Sequence, residues 1–166
     1  TCGSSSWAYE EYIEMGLKVV DTLQPEAADM ESYLQVTRFE AEQPLMRHGD
    51  YYEPGPGYGT ASYAKSASLL VTLRNLLGEG TFTRAYRSFI ADWAFKHPSP
   101  WDFFNTFERF AEKDLDWFWT SYYYETWALD QEVVSVTPKP AGGATIRIVD
   151  RGQAPFPTNV RVRRSR

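Results

Sequence analysis

Aromatic rings crowd one short stretch of this chain, and that crowding limits what the chain can fold into. Trp93-Ala-Phe-Lys-His-Pro-Ser-Pro-Trp-Asp-Phe-Phe-Asn-Thr-Phe-Glu108 is soon followed by Asp114-Leu-Asp-Trp-Phe-Trp119. Five of the six tryptophans lie between Trp93 and Trp127. Rings of this size bury large areas, so the region must form a tight core or line a groove. At 166 residues and 43% apolar, the chain can supply one domain with a real core, or one domain and the start of another.

Hydrophobic spacing separates a helical part from a strand part. Trp7, Tyr12, Ile13, Leu17 and Val20 repeat near helical period and stop at Pro25, and a second helical stretch is expected from Glu26 to about Glu40. Pro44 to Gly59 breaks the pattern, and Tyr51-Tyr-Glu-Pro-Gly-Pro-Gly-Tyr-Gly59 suits an ordered surface loop, either functional or a plain connector. From Ala61 to Leu77 the residues Ala64, Ala67, Leu70, Val71, Leu73, Leu76 and Leu77 form a wide apolar stripe, and Gly78 is a natural stop. Thr81 is expected to cap the next helix, which runs to about Phe95 and buries Phe82, Ala85, Tyr86, Phe89, Ile90 and Trp93. Ser99, with Pro100 and Asp102 behind it, caps another helix to about Ala111, and Asp114 caps a fourth from Leu115 to about Tyr124. After Leu129 the period becomes alternating. Glu132–Thr137 and Ala144–Val149 read as a hairpin, and Thr158–Arg163 as a third strand.

Charge and cysteine content remove several classes of function. A net charge of −5 argues against general nucleic-acid binding, because phosphate neutralisation needs basic surface. Arg161, Arg163 and the neighbouring Arg164 and Arg166, interleaved with Val160 and Val162, read as a solvated strand face. No apolar run approaches the roughly 20 residues of a transmembrane helix. Cys2 is the only cysteine, so neither an intrachain disulfide nor a cysteine zinc site is available. Thr1-Cys-Gly-Ser-Ser5 fits a fragment boundary better than the remnant of a lipidated, exported bacterial N-terminus, and the compartment stays open.

Specific motifs carry a resemblance. Tyr63-Ala-Lys65 opens a helix just after the glycine-rich loop, and resembles the Tyr-x-Lys-Gly element of zinc aminopeptidases of the M1 family, with Ser66 in place of the glycine. The aromatic block, the Asp114–Trp119 run, Leu129-Asp-Gln131 and the turn Asp150-Arg-Gly-Gln-Ala-Pro-Phe-Pro157 extend the likeness over about Glu42 to Val162. The resemblance implies a mainly α fold: residues 1–130 as the C-terminal helical lobe of a thermolysin-like catalytic domain, and 131–166 as a short antiparallel segment opening a β-sandwich-like domain.

It also implies roles. Tyr63 would be the catalytic phenol that donates a hydrogen bond to the oxyanion, since a phenol with pKa about 10 keeps its proton at neutral pH. Tyr58 and Gly59 would border the peptide substrate.

Zinc in this family requires His-Glu-x-x-His, and the sequence contains only His48 and His97, neither four residues from another histidine. Both read as structural or solvated. Glu10 loosely resembles the family's third ligand in Trp-x-x-Glu, but Glu11 follows where a glycine is usual, which favours a surface carboxylate. The expectation is therefore zinc in the intact enzyme and none bound by this chain alone. The remaining half of the catalytic domain would be a partner, and exposed apolar faces would promote self-association. The competing expectation is a non-catalytic module binding peptides in an aromatic groove.

Overall fold

The computed structural model describes residues 25–39, 41–140 and 142–160. The helix expected over Trp7–Gln24, with Glu10, lies outside the described residues. The protein is mainly helical, with a short antiparallel pair of strands at its C-terminal end. The chain divides between Thr126 and Trp127 into two units.

In the first unit, α1 spans Pro25–Arg38. A short 3-10 turn, Gly49–Tyr51, lies in the segment that follows. A continuous helical run then begins with a single turn at Gly57–Gly59, widens into a π turn at Thr60–Lys65, and continues as α2, Ser66–Leu77. Ala64, Ala67, Leu69, Leu70 and Leu73 are buried, as the stripe requires, whereas Val71, Leu76 and Leu77 are only partly covered. Gly78 ends α2 at φ 80°, ψ 148°, a conformation open to glycine.

The same glycine caps α3, Glu79–Trp93, three residues ahead of the cap expected at Thr81. Phe82 N–H closes the first turn on the Gly78 carbonyl at 3.1 Å, so the glycine sets the boundary without a side-chain cap. Phe82, Ala85, Tyr86 and Phe89 are buried, but Ile90 is exposed and Trp93 is half-buried at an open groove against α4.

Helix α4, Pro100–Ala111, is capped by Ser99 as expected, and Asp102 completes a reciprocal capping box. Ser99 N–H donates to Asp102 Oδ2 at 2.7 Å, and Asp102 N–H returns to Ser99 Oγ at 3.4 Å. Helix α5, Asp116–Trp119, runs into a second π turn at Thr120–Tyr124. Leu115 occupies its cap position, yet Asp114 Oδ1 accepts the Asp116 N–H at 2.8 Å, so the aspartate satisfies a first-turn donor as expected of it.

The aromatic block is core. Phe103, Phe104, Phe107, Phe118 and Trp119 are all buried. Phe104 stacks on Trp119 with centroids 4.4 Å apart, Phe103 meets Phe107 at 4.6 Å, and Phe82 joins α3 to α4 through Phe107 at 5.4 Å. Each such ring contributes about 1.5–3 kcal/mol by leaving water. Trp101 and Phe95 are exceptions: Trp101 is 54% exposed while leaning on Phe104 and Tyr124, and Phe95, just past the end of α3, is fully exposed.

In the second unit, β1 (Gln131–Pro138) pairs antiparallel with β2 (Ala144–Asp150), with a register shift between Val133 and Ser135. Gly142 and Gly143 take positive φ in the connection. Past β2 the chain folds back, Arg151 N–H to the Asp130 carbonyl at 2.7 Å and Ala154 N–H to that of Ala128 at 3.1 Å. A Cβ at Gly152 would lie 2.0 Å from the Ala128 oxygen, so only glycine fits this turn. Thr158–Val160 is not in strand, and the rest of the expected third strand lies outside the described residues.

Candidate active site

The π turn is built on a buried charge. Lys65, 1% exposed, places Nζ 2.6 Å from Glu42 Oε1. Tyr33 of α1 donates its hydroxyl to the same oxygen at 2.9 Å, and its ring lies 5.8 Å from the ammonium. Lys65 also reaches the Glu125 carbonyl at 3.5 Å. A lysine in an apolar setting is tolerated only with such partners. Burial pushes the Lys65 ammonium below its ordinary pKa, while the Glu42 carboxylate works in the opposite direction. Burial, reinforced by Glu42, raises the Tyr33 phenol well above its usual value.

Ser66, buried at the junction with α2, donates its hydroxyl to the Ala61 carbonyl five residues back at 2.7 Å. That is the spacing of a π turn rather than an α turn. Tyr63, two residues before Lys65, lies toward the opposite side of the turn. It is 51% exposed. Tyr58, on the same helical run, is 48% exposed and meets Tyr52 edge-on at 5.1 Å, and Gly59 is exposed beside it.

The glycine-rich loop before this run is closed by its own side chains. Gln43 Oε1 accepts the Glu53 N–H at 2.9 Å and Arg47 Nη1 at 2.6 Å. The Tyr52 hydroxyl donates to the Pro44 carbonyl at 2.8 Å. Gly57 lies so close to this strut that a Cβ would fall 2.6 Å from Gln43 Nε2 and 3.0 Å from the Ala41 carbonyl. The loop thus delivers the π turn in a fixed place.

Glu42 and Tyr33 were not legible as site residues. One signal pointed to them: Lys65 falls inside an apolar helical face, and a buried lysine demands an acid. Which acid answers it depends on tertiary packing.

Among the described residues one cluster of potential metal ligands is present, and it is not the histidine set of His-Glu-x-x-His. Glu108, Asp114 and Asp116 converge, but all three are carboxylates where zinc favours nitrogen and sulfur. Two of them are also engaged: Glu108 Oε1 accepts from Leu115 N at 3.1 Å and Trp119 Nε1 at 2.9 Å, tying α4 to α5, and Asp114 Oδ1 accepts the Asp116 N–H. His48 Nδ1 caps the 3-10 turn by accepting the Asp50 N–H, and His97 is exposed. A groove of about 460 Å³ between α3 and α4 is lined by Asp92, Trp93, Lys96, Asp102 and Arg109. Its charged groups are engaged locally: Arg109 lies 3.7 Å from Asp92, Lys96 Nζ donates to the Asp92 carbonyl at 2.6 Å, and Asp102 serves the capping box.

Residues 5–122 match the peptidase family M1 domain. The chain belongs to peptidase family M1. No curated protein and no solved structure matches it. The matched span ends within the second π turn, so the M1 likeness covers the π turn, the buried pair and the aromatic wall, while β1 and β2 lie beyond it. Among the described residues of this M1 chain, no helix is long and apolar enough to cross a membrane.

Proposed function

We propose that this chain forms part of an M1 aminopeptidase and that Tyr63 is its oxyanion-stabilising residue. As water adds to the scissile peptide carbonyl, the oxygen gains negative charge, and the Tyr63 hydroxyl donates a hydrogen bond to it. Tyr58 and Gly59 border the peptide. The observation that carries this reading is the placement of Tyr63: half exposed on a helical turn whose other side is anchored in the core, rather than packed among hydrocarbon. Zinc, which the reading calls for, is assigned to residues outside this sequence. The strands β1 and β2 are read as the opening of a following β-domain, and the rest of the catalytic domain as a partner.

The aromatic-groove alternative has fewer rings to draw on, since Phe103, Phe104, Phe107, Phe118 and Trp119 are buried and it is left with the exposed Phe95 and Trp101 and with Trp93 at the groove. The test is turnover of an aminoacyl anilide by the zinc-loaded enzyme that contains this sequence. Tyr63→Phe should lower kcat about 10²–10³-fold, the usual effect of losing one oxyanion donor. Unchanged kcat would remove Tyr63 from the chemistry. The chain alone should show neither turnover nor stoichiometric zinc after dialysis.

A further inference from the structure

We propose that Lys65, through its buried pairing with Glu42, is the positioning residue for Tyr63. The inference rests on the reading of Tyr63 as oxyanion donor and adds to it the device that aims the phenol.

A π turn is rare and needs support, because its hydrogen-bond register competes with the ordinary α-helix. Two buried interactions supply that support here. Ser66 donates to the Ala61 carbonyl at 2.7 Å, and Lys65 donates to Glu42 at 2.6 Å with Tyr33 on the same oxygen. Reversion to α register removes one residue's rotation, about 100°, between the start of the run and α2. The face carrying Tyr63 would then turn relative to the core that α2 packs against. Lys65 resists this because its ammonium is directional: it must reach Glu42 and the Glu125 carbonyl, and nothing apolar substitutes for those partners. Since Tyr63 stands two residues away and toward the opposite side, a fixed Lys65 fixes an outward Tyr63. The glycine-rich loop adds a close approach, for any side chain at Gly57 would meet Gln43 and the Ala41 carbonyl.

Removing one partner of the pair leaves a buried charge and endangers folding. The decisive variant therefore replaces both, Lys65→Met with Glu42→Leu, which keeps volume and restores apolar packing. It is read on the zinc-loaded enzyme that contains this sequence, by steady-state kinetics and by the fluorine resonance of Tyr63 after 3-fluorotyrosine labelling, assigned through Tyr63→Phe. The expected result is a folded protein whose kcat is down 10–100-fold with KM within twofold, and whose Tyr63 resonance is shifted or broadened. Ser66→Ala should move both readouts in the same direction by a smaller factor, about 3–10-fold in kcat.

A double variant with native kcat and a native Tyr63 resonance would reduce the pair to a packing element and overturn the proposal. Loss of both kcat and KM, with the resonance unmoved, would also overturn it. The two readings fail separately. If Tyr63→Phe leaves kcat intact, the oxyanion role falls, while the fluorine signal still reports whether Lys65 positions the ring.

Discussion

The aromatic wall of α4 and α5 and the π turn bearing Tyr63 solve opposite problems. In the wall, Phe103, Phe104, Phe107, Phe118 and Trp119 are held by contacts that are individually weak and non-directional. In the π turn, one ammonium, one carboxylate and two hydroxyls are held at hydrogen-bond distance. The wall contributes apolar burial, about 1.5–3 kcal/mol per ring, and little orientation. The turn contributes little net free energy, since a buried pair roughly offsets its own desolvation, and it supplies orientation. The oxyanion role proposed for Tyr63 needs both: a stable backing and a donor aimed to within a fraction of an ångström.

The largest expected effect lies in the wall. Phe107→Ala should cost about 3–5 kcal/mol of stability, measured as a drop in the urea midpoint, because Phe107 is fully buried between α3 and α4. Where the variant still folds, its KM should be near native. Close behind is Glu42→Leu alone, expected to cost about 3 kcal/mol by stranding the Lys65 ammonium. Adding Lys65→Met should recover most of that, and failure to recover it would break the contrast between the two regions.

An effect of pH sharpens it further. Tyr33 keeps its proton in the folded protein above the pH at which the unfolded chain releases it, so stability is intact below about pH 10 and falls as pH rises beyond it. Lys65, lowered by burial, acts with the other sign, adding stability as pH climbs toward 10.5. The difference between native and Tyr33→Phe midpoints at pH 9, 10 and 11 isolates the tyrosine: the native protein should lose ground to the variant only above pH 10. The smallest effect is Ser99→Ala, about 1 kcal/mol from loss of the capping box on α4, with catalysis unmoved.

Legibility in the sequence followed the same division. Helix spans and strands were readable where one local rule decides them: the stripe ending at Gly78, the Ser99 cap with Pro100 behind it, the alternation in β1 and β2. The start of α3 at Glu79 was missed because Thr81 offers a plausible cap and Gly78 wins through its backbone conformation. Burial of Ile90 was misread because periodicity says which face is apolar, not how far along the helix a neighbour extends. The π turn was invisible: Thr60–Lys65 has the composition of an α-helix, and the Ser66 hydroxyl that supports it looked like a flaw in a motif. Tyr63 was singled out by its family motif. Glu42 and Tyr33 were not, because they reach Lys65 from segments 23 residues away or more.

The most direct test of the oxyanion role compares ground state with transition state. A phosphinic peptide mimics the tetrahedral oxyanion, whereas the unreacted peptide lacks it, so a donor used only in the transition state strengthens the first and not the second. For the zinc-loaded enzyme containing this sequence, Tyr63→Phe should weaken phosphinic-peptide binding by about the factor lost from kcat/KM, about 10²–10³-fold, with KM within about twofold of native. Equal weakening of analogue and substrate, or no weakening of the analogue, would contradict the assignment of Tyr63.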